Sequence, residues 1–273
     1  MVVLFVGGLA LIDRSESVAS PFASASYSSA ANLEGKEIRF GISGSALASA
    51  VTSNDATGST NAMHDSYRPT GILVILANML LGEVIFGGLG TGLYSLVMAG
   101  LVAVFIGGLM IGRTPSYLGK KIGAEETKLI ALYALVTPAI VLTLTAVAVL
   151  TPVGRAGITL NPGAHGFSEI LFASASSMAN NGQTMASLNA NSVFYNVTTA
   201  MAGRFGLAGL ALALAGRVAG QRRLVRGPGV LPDDSLMFCA LLIGVLLILG
   251  GLSFLPVLAL GPLAEVFAAS GSL

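Results

Sequence analysis

From Thr70 to Ile111 the chain stays apolar for about 42 residues, and one helix of that length would reach about 63 Å, twice the ~30 Å hydrocarbon thickness of a bilayer. Such a run must bend, break or re-enter. Its only acidic residue is Glu83, and four residues later comes Gly87-Gly88-Leu89-Gly90-Thr91-Gly92. Glycines of that density mark the break.

The surface of this chain must face lipid. Charged residues make up 10% of it and hydrophobic ones 54%, with a mean hydropathy of +0.82. An average soluble domain is about 25% charged. A net charge of +1 excludes a basic nucleic-acid binder. The single cysteine, Cys239, lies in an apolar run, so no disulfide framework exists. The fold class expected is therefore an all-α membrane protein.

Three simpler spans follow the long run: Leu129 to Leu150, Val193 to Ala215 and Leu236 to Leu260. Met1 to Leu11 is too short for a full span and reads as a truncated transmembrane helix, with the apolar core of a secretory signal as the alternative. Asp13 to Asn32 is polar and reads as a loop. Eight of the 14 basic residues fall in two links: Arg113, Lys120, Lys121 and Lys128 in one, Arg217, Arg222, Arg223 and Arg226 in the other. The positive-inside rule places both links in the cytoplasm. Residues 13–66 and 151–192 then approach from outside.

Two stretches share one layout. In the first, Asn32-Leu33-Glu34-Gly35-Lys36-Glu37 precedes a small-residue segment, Ile38 to Val51, which ends in Asp55-Ala56-Thr57-Gly58-Ser59-Thr60. In the second, Asn161-Pro162-Gly163 and His165 to Glu169 precede Ile170 to Met178, which ends in Asn180-Asn181-Gly182-Gln183-Thr184. An apolar helix follows each. Each unit reads as outer helix, short re-entrant helix, glycine-centred loop and inner helix. Asn32 with Glu34 and Glu37, and Ser168 with Glu169, are expected to start the re-entrant helices. Irregular backbone at membrane depth survives only where protein buries it or it lines water. Its carbonyls can replace the hydration shell of a weakly hydrated cation.

The blocks that carry a family resemblance are Asn32 to Glu37, Ala62 to Ser66, Gly82 to Gly88, Gly112 to Pro115 with Tyr117 to Lys121, and Asn161 to Glu169. Together, in order and over nearly the whole chain, they resemble the KdpA family, the potassium-transporting A chain of the Kdp ATPase. The resemblance implies a potassium-channel-like fold of four linked M1-P-M2 repeats, of which two are present here, the third and fourth, with an extra C-terminal transmembrane helix. The units would be 1–126 (re-entrant loop 38–60, broken helix 70–111), 127–217 (helix 129–150, re-entrant loop 166–184, helix 193–215) and 218–273, a link and the final helix.

The same resemblance implies a non-catalytic subunit in a bacterial or archaeal cell membrane. It would take K+ from outside and pass it to the P-type ATPase subunit KdpB. KdpC, a small KdpF-like peptide and the missing N-terminal half would be further partners. K+ would be held by backbone carbonyls around Thr57, Gly58 and Ser59 and around Asn181, Gly182 and Gln183. Glu83, Gly87, Gly88, Gly90, Gly92, Arg204 and Arg113 would belong to the pathway and its gate. ATP would bind only through KdpB, and no cofactor would be attached covalently. The alternatives are a structural fragment that conducts nothing, or a stand-alone potassium channel or symporter. This sequence departs from the family pattern at Asp55, Ser59 and Thr60, and in a shortened helix before Arg204. His64 and Asp65 read as a hydrogen-bonded turn, and Glu34, Lys36 and Glu37 as a surface brace.

Two enzymatic patterns carry little. Gly41-Ile42-Ser43-Gly44 has a serine-hydrolase form, but a nucleophile needs a base within hydrogen-bond reach. Gly88 to Gly92 lacks the Lys-Ser/Thr of a phosphate loop.

Overall fold

The computed structural model describes residues 1–18, 31–87, 92–112, 115–202, 205–222 and 235–269. Helix α1 (Val2–Glu16) leads to α2 (Gly41–Ser53), a 3-10 turn (His64–Ser66), α3 (Pro69–Leu80) and α4 (Gly92–Ile111). A two-stranded hairpin, β1 (Ser116–Tyr117) with β2 (Lys120–Lys121), precedes α5 (Ala124–Leu150) and the short α6 (Pro152–Arg155). Then come α7 (Ala164–Ala179), α8 (Val193–Ala202), α9 (Phe205–Gly220), α10 (Leu236–Leu260) and α11 (Pro262–Ala269). The chain is an all-α membrane protein. Among the described residues four segments are long and apolar enough to cross a bilayer: Gly92–Met110, Ala124–Leu150, Val193–Gly220 and Leu236–Leu260.

The packing is inverted relative to a soluble protein. The long helices turn large apolar side chains outward, as at Leu252 and Met110, each 78% exposed. Contiguous apolar surface of that kind is stable only against lipid. The centre is occupied instead by the small-residue helices. Ile170, Leu171 and Phe172 of α7 are fully buried, and so are Ser168 and Ser176 on the same helix. At 16 residues α7 is too short to span.

The long apolar run breaks earlier than its glycine cluster suggests. Pro69 opens α3, where its fixed φ suits the first helical turn. The helix ends at Leu80, because Gly82 (φ 86°), Glu83 (φ 54°) and Gly87 (φ 65°) are all left-handed. Glycine adopts that conformation freely, whereas Glu83 does so at a strain of about 1–3 kcal/mol. Glu83 therefore sits inside the break rather than within a helix. A side chain on Gly92 would meet the Glu83 carbonyl oxygen at 2.7 Å, so the two arms of the break touch there.

Both expected helix starts are corrected. Helix α7 begins at Ala164, after Gly163 at φ 94°, and Ser168 and Glu169 lie in its second turn. The Ser168 hydroxyl lies between the Ala164 carbonyl, 3.1 Å away, and the Glu265 carboxylate rather than capping. Helix α2 begins without a side-chain cap, and Glu37 is engaged with Arg39 instead. Helix α1 also runs past Leu11, through residues expected as loop, to Glu16. Helix α5 starts at Ala124, ahead of Leu129, because Glu126 Oε2 accepts from the Gly123 N–H at 2.9 Å and holds the first turn.

Glu16 explains the longer α1. Its Oε2 accepts from Lys36 Nζ at 2.8 Å and from Asn32 Nδ2 at 2.6 Å, and its Oε1 from the Arg68 N–H at 2.8 Å. The side chains of Lys36 and Glu16 are both fully buried. Of the brace expected at the surface, Lys36 is thus in an interior ion pair, while Glu34 is exposed and Glu37 pairs with the exposed Arg39. Glu16 fastens α1 to both ends of the hairpin that carries α2. One isolated antiparallel bridge closes the root of that hairpin, Lys36 to Ala62, and another closes the root of the second, Ile158 to Leu188.

Candidate functional site

Each short helix points its C-terminal end into a glycine loop. Helix α2 ends at Ser53 and loop one follows through Gly58, which is left-handed at φ 68°. Helix α7 ends at Ala179, and Asn180 (φ 69°) and Gly182 (φ 74°) turn loop two. The partial negative charge at a helix C-terminus favours a cation near each loop.

The two loops are in contact. The space that a side chain on Gly58 would need is already filled by the Asn181 carbonyl oxygen, whereas a side chain on Gly182 would meet nothing within 4 Å. Gln183 stitches the loops from the side. Its Nε2 donates to Thr52 Oγ1 at 3.2 Å and to the Ser59 carbonyl at 3.5 Å. Thr52 in turn bonds Thr57 through their hydroxyls, 3.2 Å apart. Loop two is held from behind by Ser176, whose carbonyl accepts from the N–H of Asn181 at 3.1 Å and of Gly182 at 3.4 Å. The Ser176 hydroxyl also donates to Asn181 Oδ1.

The break between α3 and α4 reaches both loops. Phe86 N–H donates to the Asn54 carbonyl of loop one at 3.4 Å. Asn181 Nδ2 of loop two donates to Glu83 Oε1 at 2.9 Å. Glu83 has no exposed surface, and its Oε2 has no hydrogen-bond partner among the described residues. Asn78, on α3, donates to Ser53 Oγ at 3.0 Å and ties the same region to α2.

The structure therefore brings Thr57, Gly58, Ser59, Asn181, Gly182, Gln183, Glu83, Gly87 and Gly92 into one neighbourhood or onto the break beside it. Gly88, Gly90, Arg113 and Arg204 lie outside the described residues. Sequence reasoning missed Thr52, Ser176 and Asn78. These sit on helices in a small-residue context, and only the partner's position in space reveals their use.

The two histidines have separate surroundings. His64 is buried, with Nε2 3.2 Å from Ser49 Oγ. His165 lies between Asp65 Oδ1 at 3.0 Å and Glu265 Oε2 at 2.7 Å. Burial opposes a charge on His165, but these two hydrogen bonds outweigh it and push its pKa up to about 10. Burial likewise opposes charge on Asp65, and bonds from His165 and Ser187 outweigh it, holding Asp65 below the ordinary carboxylate range. With both rings committed in this way, Ser43 has no histidine base of the kind a serine hydrolase needs.

Residues 1–267 match the family described as KdpA, potassium-transporting ATPase A subunit. A potassium-transporting ATPase potassium-binding subunit of Paracidovorax citrulli is 50% identical over 97% of this chain and 46% of its own length. The proteins of that name from Laribacter hongkongensis and Dechloromonas aromatica are 49% and 53% identical, over 97% and 86% of this chain and 47% and 40% of their own lengths. The chain thus spans about half the length of the curated relatives it matches.

Proposed function

This chain belongs to the KdpA family of potassium-transporting ATPase A subunits, and from that premise we propose that it forms part of a potassium-binding, channel-like subunit. It carries the third and fourth pore-loop repeats, over residues 1–126 and 127–217, with a final link and helix over 218–273. The rest of a longer subunit supplies two further loops. The hairpins face outside and the basic links face the cytoplasm of a bacterial or archaeal cell. The catalytic partner is the P-type ATPase subunit KdpB, which alone binds ATP, and KdpC and a small KdpF-like peptide complete the complex.

The observation that carries this reading is the direct contact of Gly58 with Asn181 at the tips of two short helices. An ion that sheds water needs oxygens already in place. Residues 57–59 and 181–183 supply main-chain carbonyls in fixed positions, and the ends of α2 and α7 add negative potential. The residues around them hold that geometry. Ser176 and Gln183 set loop two, Thr52 sets Thr57, and Glu83 sets Asn181. The break lies against these loops through Glu83 and Phe86 and forms the next stage of the pathway toward KdpB, to which Arg204 and Arg113 also belong.

The test is potassium-stimulated ATP hydrolysis after co-expression with the missing half, KdpB and KdpC. Stimulation by K+ over Na+, lost on Gly58→Asp, is the expected result. Assembly of a complex whose hydrolysis ignores K+ would overturn the reading.

A further inference from the structure

A second polar constellation lies away from the loops, where the two hairpins meet α11. Asp65 belongs to the 3-10 turn after loop one, His165 and Glu169 are one turn apart on α7, and Glu265 comes from α11. One ligand atom each from Asp65, His165 and Glu169 lies within 4.8 Å of the others.

Three features distinguish this group from an ordinary acidic cluster. First, every member is oriented by a further residue. Glu265 Oε2 holds His165 Nδ1 at 2.7 Å, so that Nε2 faces Asp65 Oδ1 at 3.0 Å and Glu169 Oε1 at 3.9 Å. Ser187 Oγ donates to Asp65 Oδ2, and Asn161 Nδ2 donates to Glu169 Oε1 at 3.2 Å. Metal-bound imidazoles have their other ring nitrogen held by a carboxylate in this manner. Second, the spacing fits. Nitrogen and oxygen ligands about 2.1 Å from a tetrahedral zinc ion lie about 3.4 Å from one another, and the distances of 3.0 and 3.9 Å bracket that value. Third, Glu169 is fully buried, and its Oε2 has no partner among the described residues. A buried carboxylate oxygen without a donor calls for a counterpart, and a cation is one.

A cleft of about 790 Å³, lined by Asp65, His165, Ser187 and Glu265, reaches the Asp65 and His165 side of the group, and Glu169 lies buried behind it. We propose that Asp65, His165 and Glu169 bind a divalent transition-metal ion of the zinc class, with Glu265, Ser187 and Asn161 as the shell that orients them. Binding displaces the proton that His165 Nε2 shares with Asp65, which leaves to solvent. The ion then joins the turn behind loop one to the helix that carries loop two.

The experiment is calorimetric titration of the chelator-stripped 273-residue chain, in lipid nanodiscs, with zinc chloride alone. Saturable uptake of about one ion per chain is expected, weakened at least tenfold by His165→Asn and by Asp65→Asn, and about tenfold or more by Glu265→Gln. Cobalt in place of zinc should give the intense visible bands of four-coordination, a readout that needs no variant to fold. Wild-type chain with intact helical circular dichroism that takes up no zinc overturns the proposal. So does equal uptake by the folded variants, or a cobalt spectrum of the weak six-coordinate kind. None of these readouts depends on potassium.

Discussion

Asn181 Nδ2 donates to Glu83 Oε1 at 2.9 Å, joining groups 98 positions apart in the chain. The bond ties the tip of the second hairpin to the break in the long apolar run. Asn181 also gives its carbonyl oxygen to the contact with Gly58. Whatever moves the break therefore pulls on the point where the loops touch. Glu83→Ala leaves the Asn181 amide only the Met79 sulfur, a weak acceptor 3.2 Å away, at about 1–3 kcal/mol for the lost bond to a carboxylate, and is expected to raise the potassium concentration for half-maximal ATPase activity at least tenfold. Glu83→Gln keeps an acceptor for Asn181 and should shift that concentration less than threefold while slowing turnover. Equal potassium dependence in both variants would remove Glu83 from this role.

The two loop glycines should respond differently to one methyl group. Both are left-handed, which costs a non-glycine residue about 1–2 kcal/mol. Only at Gly58 does the methyl also collide with backbone, the Asn181 carbonyl. Gly58→Ala is therefore expected to weaken potassium activation at least tenfold more than Gly182→Ala. Potassium titration of ATPase activity in the assembled complex reads this directly, and similar losses at both positions would contradict the loop contact.

The buried Glu16–Lys36 pair sets the stability of the first hairpin. Removing one partner of such a pair strands a charge and costs about 3–5 kcal/mol. Lys36→Met should lower the thermal unfolding midpoint of the reconstituted chain sharply, followed by helical circular dichroism. Adding Glu16→Gln should recover part of the loss, because glutamine carries no charge and its one side-chain oxygen still accepts from either Asn32 or the Arg68 N–H. If the double variant melts below the single one, the ion pair is not what holds α1 to the hairpin.

The apolar spans were legible because hydropathy over a bilayer's thickness leaves little choice. Leu236 to Leu260 appears in the structure with the bounds its sequence implies. The layout of two hairpins could also be read, since small polar residues between long apolar runs have no other place to go in lipid. Helix ends were harder. Ser168 and Glu169 look like a helix start, but Gly163 sets the start by adopting φ 94°, and the two side chains are then free for partners on α11 and before α7. The break at Gly82–Glu83 was hidden because nothing in the sequence marks a glutamate for a left-handed conformation. Glu16 was hidden for another reason. Its four donors come from Ser15, Asn32, Lys36 and Arg68, and no local pattern announces that a polar stretch will be interior.

The burial of α7 has a consequence for how the protein is made. Its neighbour α5 is apolar enough to partition from the insertion machinery into lipid as it emerges, but a 16-residue helix bearing His165, Ser168 and Glu169 is not. It must wait at the water boundary until the surrounding helices have built its cradle. The glycine turn at its tip is thus among the last parts to settle, so nascent chains stalled before α10 should leave that turn open to water-borne protease.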